Sequence, residues 1–240
     1  TQSTWSTLVD LSSGQSQDFA LQQNAAQTNQ YKSWVMGNPP AGWQGSPGAA
    51  AVPGTGAQIL SLVKNGAGAA DYVTGVAQGT ATMPATVQTP ITALALGNVV
   101  GGGYGYNGQI AEILIYNRAL SDIERTQVEA DLTARYIGGG TTDTSIPTTI
   151  GGLQLFLRAD AGVTTDTNGK ISAWLDQSGN GLDAVQATTA AQPSLVTGQS
   201  NSLPVVRFDC ASWLDLPAVV QTNAAEIFAV VKLAANPDAN

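Results

Sequence analysis

Apolar residues in this chain come in short runs, many of them alternating with polar ones, and clusters of Gly, Pro, Asn, Ser and Thr separate the runs. That punctuation predicts many short strands rather than helices. In the first part of the chain the runs are Trp5 to Leu11, Gln17 to Gln23, Tyr31 to Met36, Gln58 to Lys64 and Ile91 to Leu96. Further on they are Gln109 to Tyr116, Leu153 to Leu157, Ile171 to Leu175, Leu203 to Asp209 and Glu226 to Lys232. Asn168-Gly169 can take positive φ and closes a turn, and Asp176 to Gly181 reads as a tight loop.

One segment departs from this pattern. Val128, Leu132 and Tyr136 stand four residues apart and form a single apolar stripe on a helix. Ser121 and Glu124 have the spacing of a capping box, and Gly138, Gly139 and Gly140 end the periodicity. A helix is therefore predicted near 121–136, the one helix of significance in an all-β, antiparallel sandwich. Residues 141–150 are Thr-rich, contain Pro147 and show no periodicity, so they read as a linker.

Composition narrows the functional classes. Charged residues make up 11% of the 240, against about 25% in a typical soluble domain. Neutral polar residues fill the difference, which suits an extracellular β-protein. The net charge is −8, and the nine Lys and Arg form no cluster. A nucleic-acid partner needs clustered cations to neutralise phosphates, so none is expected. No apolar run reaches the roughly 20 residues a membrane helix needs. The chain has no His, which removes Ser-His, Cys-His and His-zinc chemistry. Cys210 is the one cysteine, so no internal disulfide forms, and it is expected to be a small buried residue.

Gly108 to Ser121, followed by Glu124, Leu132 and Tyr136, resembles the end of a laminin-G-like jelly roll of the concanavalin A-like lectin type, which finishes with a strand and a short helix. Leu153 to Asp160, then Trp174 to Gly181, then Pro204 to Asp209, resembles the beginning of the same domain. The resemblance implies an antiparallel jelly-roll sandwich whose beginning follows its end. Residues 1–138 would be the C-terminal portion, 139–150 a linker, and 151–240 the N-terminal portion of the same or the next copy. Reading 151–240 onward into 1–138 gives a complete domain, so the expectation is one period of a tandem array, numbered from inside a loop. Two half-domains from neighbouring repeats and a circular permutation both fit. Alone, 1–138 would expose unpaired strands and needs 151–240 to complete it. Both ends of the chain read as cuts in a longer protein. Two positions depart from the family: Asp183 stands where a His is frequent, and Cys210 where a Gly commonly follows Phe208-Asp209.

Candidate chemistry is sparse. Glycoside hydrolysis needs two carboxylates about 5 to 10 Å apart. Glu112 and Glu226 each stand alone in apolar strands, and Glu124, Glu129 and Asp131 fall on the helix, so no catalytic residue is assigned. Asp176, Asn180 and Asp183 cluster in a Gly-rich loop, with Asp166 and Asn168 as a second group. Hard cations take such oxygens, so Ca²⁺ is a candidate ligand but not a required cofactor. The competing reading is that these side chains cap turns. Glycan binding is the activity the resemblance implies, and Trp43, Tyr104 and Tyr106 lie in Gly-rich stretches where rings can face solvent. Trp5, Trp174 and Trp213 read as core or strand residues. The expected role is a non-catalytic, structural or adhesive extracellular repeat of a stalk, fibre or surface protein, secreted, at a cell surface or on a virion fibre. Its partners would be neighbouring copies. The alternative is a carbohydrate-binding module, with or without calcium.

Overall fold

A computed structural model describes residues 5–13, 19–24, 30–36, 43–45, 56–86, 91–138, 146–217 and 223–233. The strands of the first segment are β1 (Trp5–Ser12), β2 (Phe19–Asn24), β3 (Gln30–Met36), β4 (Trp43–Gly45), β5 (Gln58–Asn65), β6 (Gly68–Val73), β7 (Val76–Thr82), β8 (Ala93–Leu96) and β9 (Asn107–Tyr116). Helix α1 (Asp122–Tyr136) and the short α2 (Ile146–Thr149) follow. The second segment holds β10 (Leu153–Arg158), β11 (Val163–Thr165), β12 (Ile171–Trp174), β13 (Ala184–Val185), β14 (Ser194–Ser200), β15 (Leu203–Asp209), β16 (Leu214–Pro217) and β17 (Ala224–Leu233).

These strands form a jelly-roll sandwich of two antiparallel sheets. One sheet runs β11-β12-β13-β16-β8-β1-β2-β3-β4. The other runs β14-β15-β9-β17-β5-β6-β7, with β10 also paired to β9. Both segments contribute to both sheets. β16 of the second segment lies against β8 of the first, and β10, β15 and β17 all lie against β9.

Two apolar layers result. Between the sheets, Leu8, Leu96, Ile113, Ile115, Trp174 and Phe208 are fully buried. On the outer face of the second sheet, Leu114, Phe228 and Val230 pack under Val128, Leu132 and Tyr136 of α1. β17 shows how one strand serves both layers. Ala225, Ile227, Ala229 and Val231 point inward, while Phe228 and Val230 point to the helix. That is why its sequence is an almost unbroken apolar run. β9 does the same, but its register against β17 shifts between Val230, opposite Glu112, and Val231, opposite Ile110. The extra residue is Ala111, and the bulge turns both Ala111 and Glu112 toward the helix.

Helix α1 starts as its sequence predicts. Ser121 Oγ accepts from the Glu124 amide at 3.3 Å, and the Ser121 amide donates to Glu124 Oε2 at 2.9 Å. Arg118 pairs with the same carboxylate at 2.6 Å, and these bonds hold its pKa down at about 2.

Three features differ from the sequence reading. Residues 146–150 belong to the sandwich: Ile150 is buried and Pro147 O accepts from Tyr116 Oη at 3.0 Å. A Pro in the first helical turn gives up an amide that has no partner there anyway, so Thr-rich sequence can still form α2. The strands β4, β6, β7, β11, β13, β14 and β16 lie outside the runs read from the sequence, being short or, like the sheet-edge strand Val76–Thr82, poor in large apolar residues. Cys210 is half-buried rather than buried, and its φ is +67°.

Candidate functional site

The Gly101 to Tyr106 stretch is a loop at one rim, between β8 and β9. Gly101, Gly102 and Gly103 have φ of +87°, +86° and +124°, which is why three glycines stand in a row. Side chains hold the loop from below. Asn98 Oδ1 accepts from the amides of Val99 and Tyr104, both at 2.9 Å, and Asp10 Oδ2 accepts from the Val100 amide at 2.9 Å. Tyr104 O accepts from the Thr7 amide at 2.8 Å. The loop thus presents Tyr104, which is 38% exposed.

The other two aromatic candidates fare differently. Tyr106 is 0% exposed and packs against Phe208 at 6.2 Å between ring centroids, so it offers no face to a sugar. The alternation Tyr104-Gly105-Tyr106 leads into a strand, and the second ring turns into the core. Trp43 opens β4 opposite Met36, and its side chain lies outside the described residues.

A ring set aside as core or strand stands close to this rim. The Cys210 amide donates to Tyr106 O at 2.9 Å, and a Cβ on Gly105 would come 1.8 Å from Cys210 O, so the two rim loops touch. Three residues on, Trp213 is half-buried, and its Nε1 donates to the exposed Asp215 at 3.0 Å. The Trp-x-Asp spacing puts both side chains on one face of the strand, which is the signal that could have found them.

Asp176, Asn180 and Asp183 do converge, but on backbone and hydroxyl groups. Asp176 Oδ1 accepts from the amides of Phe156 (3.0 Å) and Ser178 (2.9 Å), and Oδ2 from the Leu182 amide (3.1 Å) and Ser178 Oγ (2.7 Å). Asp183 Oδ1 accepts from the Asp176 amide at 2.9 Å. Asn180 Nδ2 donates to Gln154 O at 2.9 Å and Leu153 O at 3.2 Å. The loop is therefore tied to β10 by its own side chains. Asp166 likewise accepts from the amides of Asn168 and Lys170, both at 2.8 Å. Among the described residues, no three His, Cys, Asp or Glu gather in a way that could hold a metal ion.

The two strand glutamates are spent beside α1. Glu112 is 1% exposed, and its Oε2 accepts from Arg135 Nη1 at 2.8 Å and Tyr136 Oη at 2.7 Å. Arg135 also pairs with Asp131 at 3.1 Å. Burial lifts the Glu112 pKa to about 7 against the pull of Arg135, and burial likewise lifts that of Tyr136. Glu226 is 0% exposed, its Oε2 accepts from the Leu120 amide at 2.8 Å, and burial lifts its pKa to about 7. Glu226 stands opposite Tyr116, four residues along β9 from Glu112, which places their backbones about 14 Å apart. Their carboxylates are also held by different groups, Glu112 by Arg135 and Tyr136 at the end of α1 and Glu226 by the Leu120 amide before its start. A second ionic cluster binds the other side of the helix: Arg125 pairs with Glu129 at 2.8 Å and lies 3.8 Å over the Tyr72 ring, while Ser61 Oγ donates to Glu129 at 2.7 Å.

The family model of the laminin G-like concanavalin A-like lectin/glucanases superfamily matches residues 1–124, just over half of the chain. No curated protein and no solved structure matches.

Proposed function

We infer a function from one premise: the chain belongs to the laminin G-like group of the concanavalin A-like lectin/glucanases superfamily. Domains of this kind fit a structural or a carbohydrate-binding role and are typically extracellular. No described helix is long and apolar enough to cross a membrane. Our reading is a non-catalytic, extracellular structural or adhesive repeat that assembles with neighbouring copies. One observation carries it. The two strand glutamates, Glu112 and Glu226, are buried, and Glu112 is engaged under a helix by an arginine and a tyrosine.

The second reading is carbohydrate binding at the rim, favoured by the exposure of Tyr104 on a loop pinned by Asn98 and Asp10. Aromatic faces beside polar groups are what sugar rings stack on. This reading needs no calcium, since Asp176 already has both oxygens hydrogen-bonded.

The test is a panel of polysaccharides, read for reducing-end release and for retention by the immobilised protein. Neither release nor retention fits a structural repeat. Retention without release, abolished by Tyr104→Ala, establishes the carbohydrate reading in its place. Sustained release of reducing ends overturns both.

A further inference from the structure

The second sheet is built around an inserted strand. β5 and β9, both from the first segment, are not paired with each other; β17 of the second segment lies between them and pairs antiparallel with both. Without β17, the first segment is a sheet with a strand-wide slot, one lip being β9 and the other β5.

The roof over this slot is tied to both lips by groups of the first segment. Toward β9, Arg135 and Tyr136 of α1 hold Glu112. Toward β5 and β6, Glu129 holds Ser61, and Arg125 lies over Tyr72. Beneath the roof β17 brings apolar groups, Phe228 and Val230, against Val128, Leu132 and Tyr136. Its docking points are few and placed near one end. The Leu120 amide donates to Glu226 Oε2 at 2.8 Å. Lys64 Nζ, buried at the end of β5, donates to the carbonyls of Gly66 at 2.6 Å and of Asn223, the residue before β17, at 3.1 Å. Burial lowers the Lys64 pKa, yet its ammonium donors meet backbone oxygens.

We propose that this roofed slot is a strand-acceptor site, and that its partner in the assembled state is a second copy of this chain, which inserts its own Ala224–Leu233 strand. The idea rests on the array reading above and names the surface through which copies join. Extended strands bind by main-chain pairing with both lips, and alternate side chains give register. Within one chain and between two chains the slot contacts are chemically the same. What separates the two states is connectivity and the local concentration of the donor. In an array each acceptor has a donor segment on either side of it in the sequence, so that concentration is high.

Gln109 and Lys232 sit directly opposite each other on β9 and β17, both part-buried, one in each segment. In a Cys210→Ser background, the double variant Gln109→Cys/Lys232→Cys is oxidised alone to show that one chain can close the bridge. The two single variants are then unfolded together, refolded together and oxidised. A disulfide-linked heterodimer, whose share grows about tenfold when chain concentration is raised about tenfold at low occupancy, is the expected result. If the double variant closes its bridge but the mixed singles give no heterodimer at any concentration, the acceptor proposal is overturned while the non-catalytic reading stands. If the double variant fails to close as well, the pairing of the two segments is itself wrong and the proposal falls with it. Glycan release or retention in the panel above would remove the structural reading independently of either result.

Discussion

The two interleaved segments are held together by different means. In the first, charges are buried and paired: Arg135 with Glu112 and Asp131, and Arg125 with Glu129, all at or below 10% side-chain exposure. In the second, among the described residues, the ion pair Arg158–Asp160 is part-exposed, and order comes from hydrogen-bonded turns such as the Asp176 loop and from apolar strands such as β17. The first segment has to hold a helix over a gap in its own sheet, and paired charges fix orientation where apolar contact alone would slide. The second has only to present strands. A buried ion pair is weak evidence for net stability, but breaking one strands a charge in low dielectric. The two segments should therefore fail differently when probed.

The largest effect is expected at Arg135. Arg135→Met leaves Glu112 and Asp131 buried without their cation and should cost about 3–5 kcal/mol in denaturant unfolding. Adding Glu112→Gln should recover part of that, because one stranded anion is removed. If the single variant lost less than about 1 kcal/mol, the contrast drawn between the segments would be wrong.

Next comes pH, which probes one carboxyl from each segment. Glu112 faces Arg135, Tyr136, Arg158 and Asp131; Glu226 faces the Leu120 amide and lies near Arg125, Glu129 and Arg118. Both have pKa values raised from 4.5 to about 7, with burial the largest cause. A raised carboxyl binds its proton more tightly in the folded state. The stability linked to it is fully present below about 4.5 and lost as pH rises through about 7. Each of the two should lower the unfolding free energy by about 2–3 kcal/mol between pH 5 and pH 8, against the usual trend in which ionising carboxylates favour the folded state. Glu226→Gln should flatten the slope. An unfolding free energy that rises over that interval would refute the burial argument.

The third effect lies in the second segment. Asp176→Ala removes acceptors for the amides of Phe156, Ser178 and Leu182. Because the loop is partly open to water, the cost should be about 1–3 kcal/mol, smaller than at Arg135. Added calcium should leave the wild-type melting temperature unchanged if the loop is a hydrogen-bond lock. A calcium-dependent rise that Asp176→Ala abolishes would restore the cation reading.

Local pattern explains what was legible before the fold was known. The capping box at Ser121, the stripe Val128-Leu132-Tyr136 and the apolar run of β17 each act within a few residues, so they could be read directly. The insertion of β17 between β5 and β9 could not. It depends on pairings across more than a hundred residues that leave no local mark. Glu112 and Glu226 looked solitary for the same reason, since their partners Arg135 and the Leu120 amide come from another layer. The rim divided similarly. The glycines around Tyr104 announced a turn, but whether Tyr104 or Tyr106 faced out depended on where β9 begins, one strand residue later.

The smallest effect is at Cys210, and it runs toward greater stability. Its φ of +67° puts an L-residue in the left-handed region, where a Cβ costs roughly 1–2 kcal/mol. The Cys210 amide bond to Tyr106 O and the contact of its carbonyl with Gly105 hold the turn there. A Gly is common at this place in the resembling domains, and the turn explains why. Cys210→Gly should remove the strain but loosen the unfolded chain and lose some packing of a half-buried side chain. The net gain should be about 0.5–1 kcal/mol, seen as a rise in melting temperature. Cys210→Ala keeps the Cβ and should gain nothing, so the pair separates relief of backbone strain from loss of the thiol. Equal gains in both variants would mean that the turn is not strained and that the second segment owes its order to its strands alone.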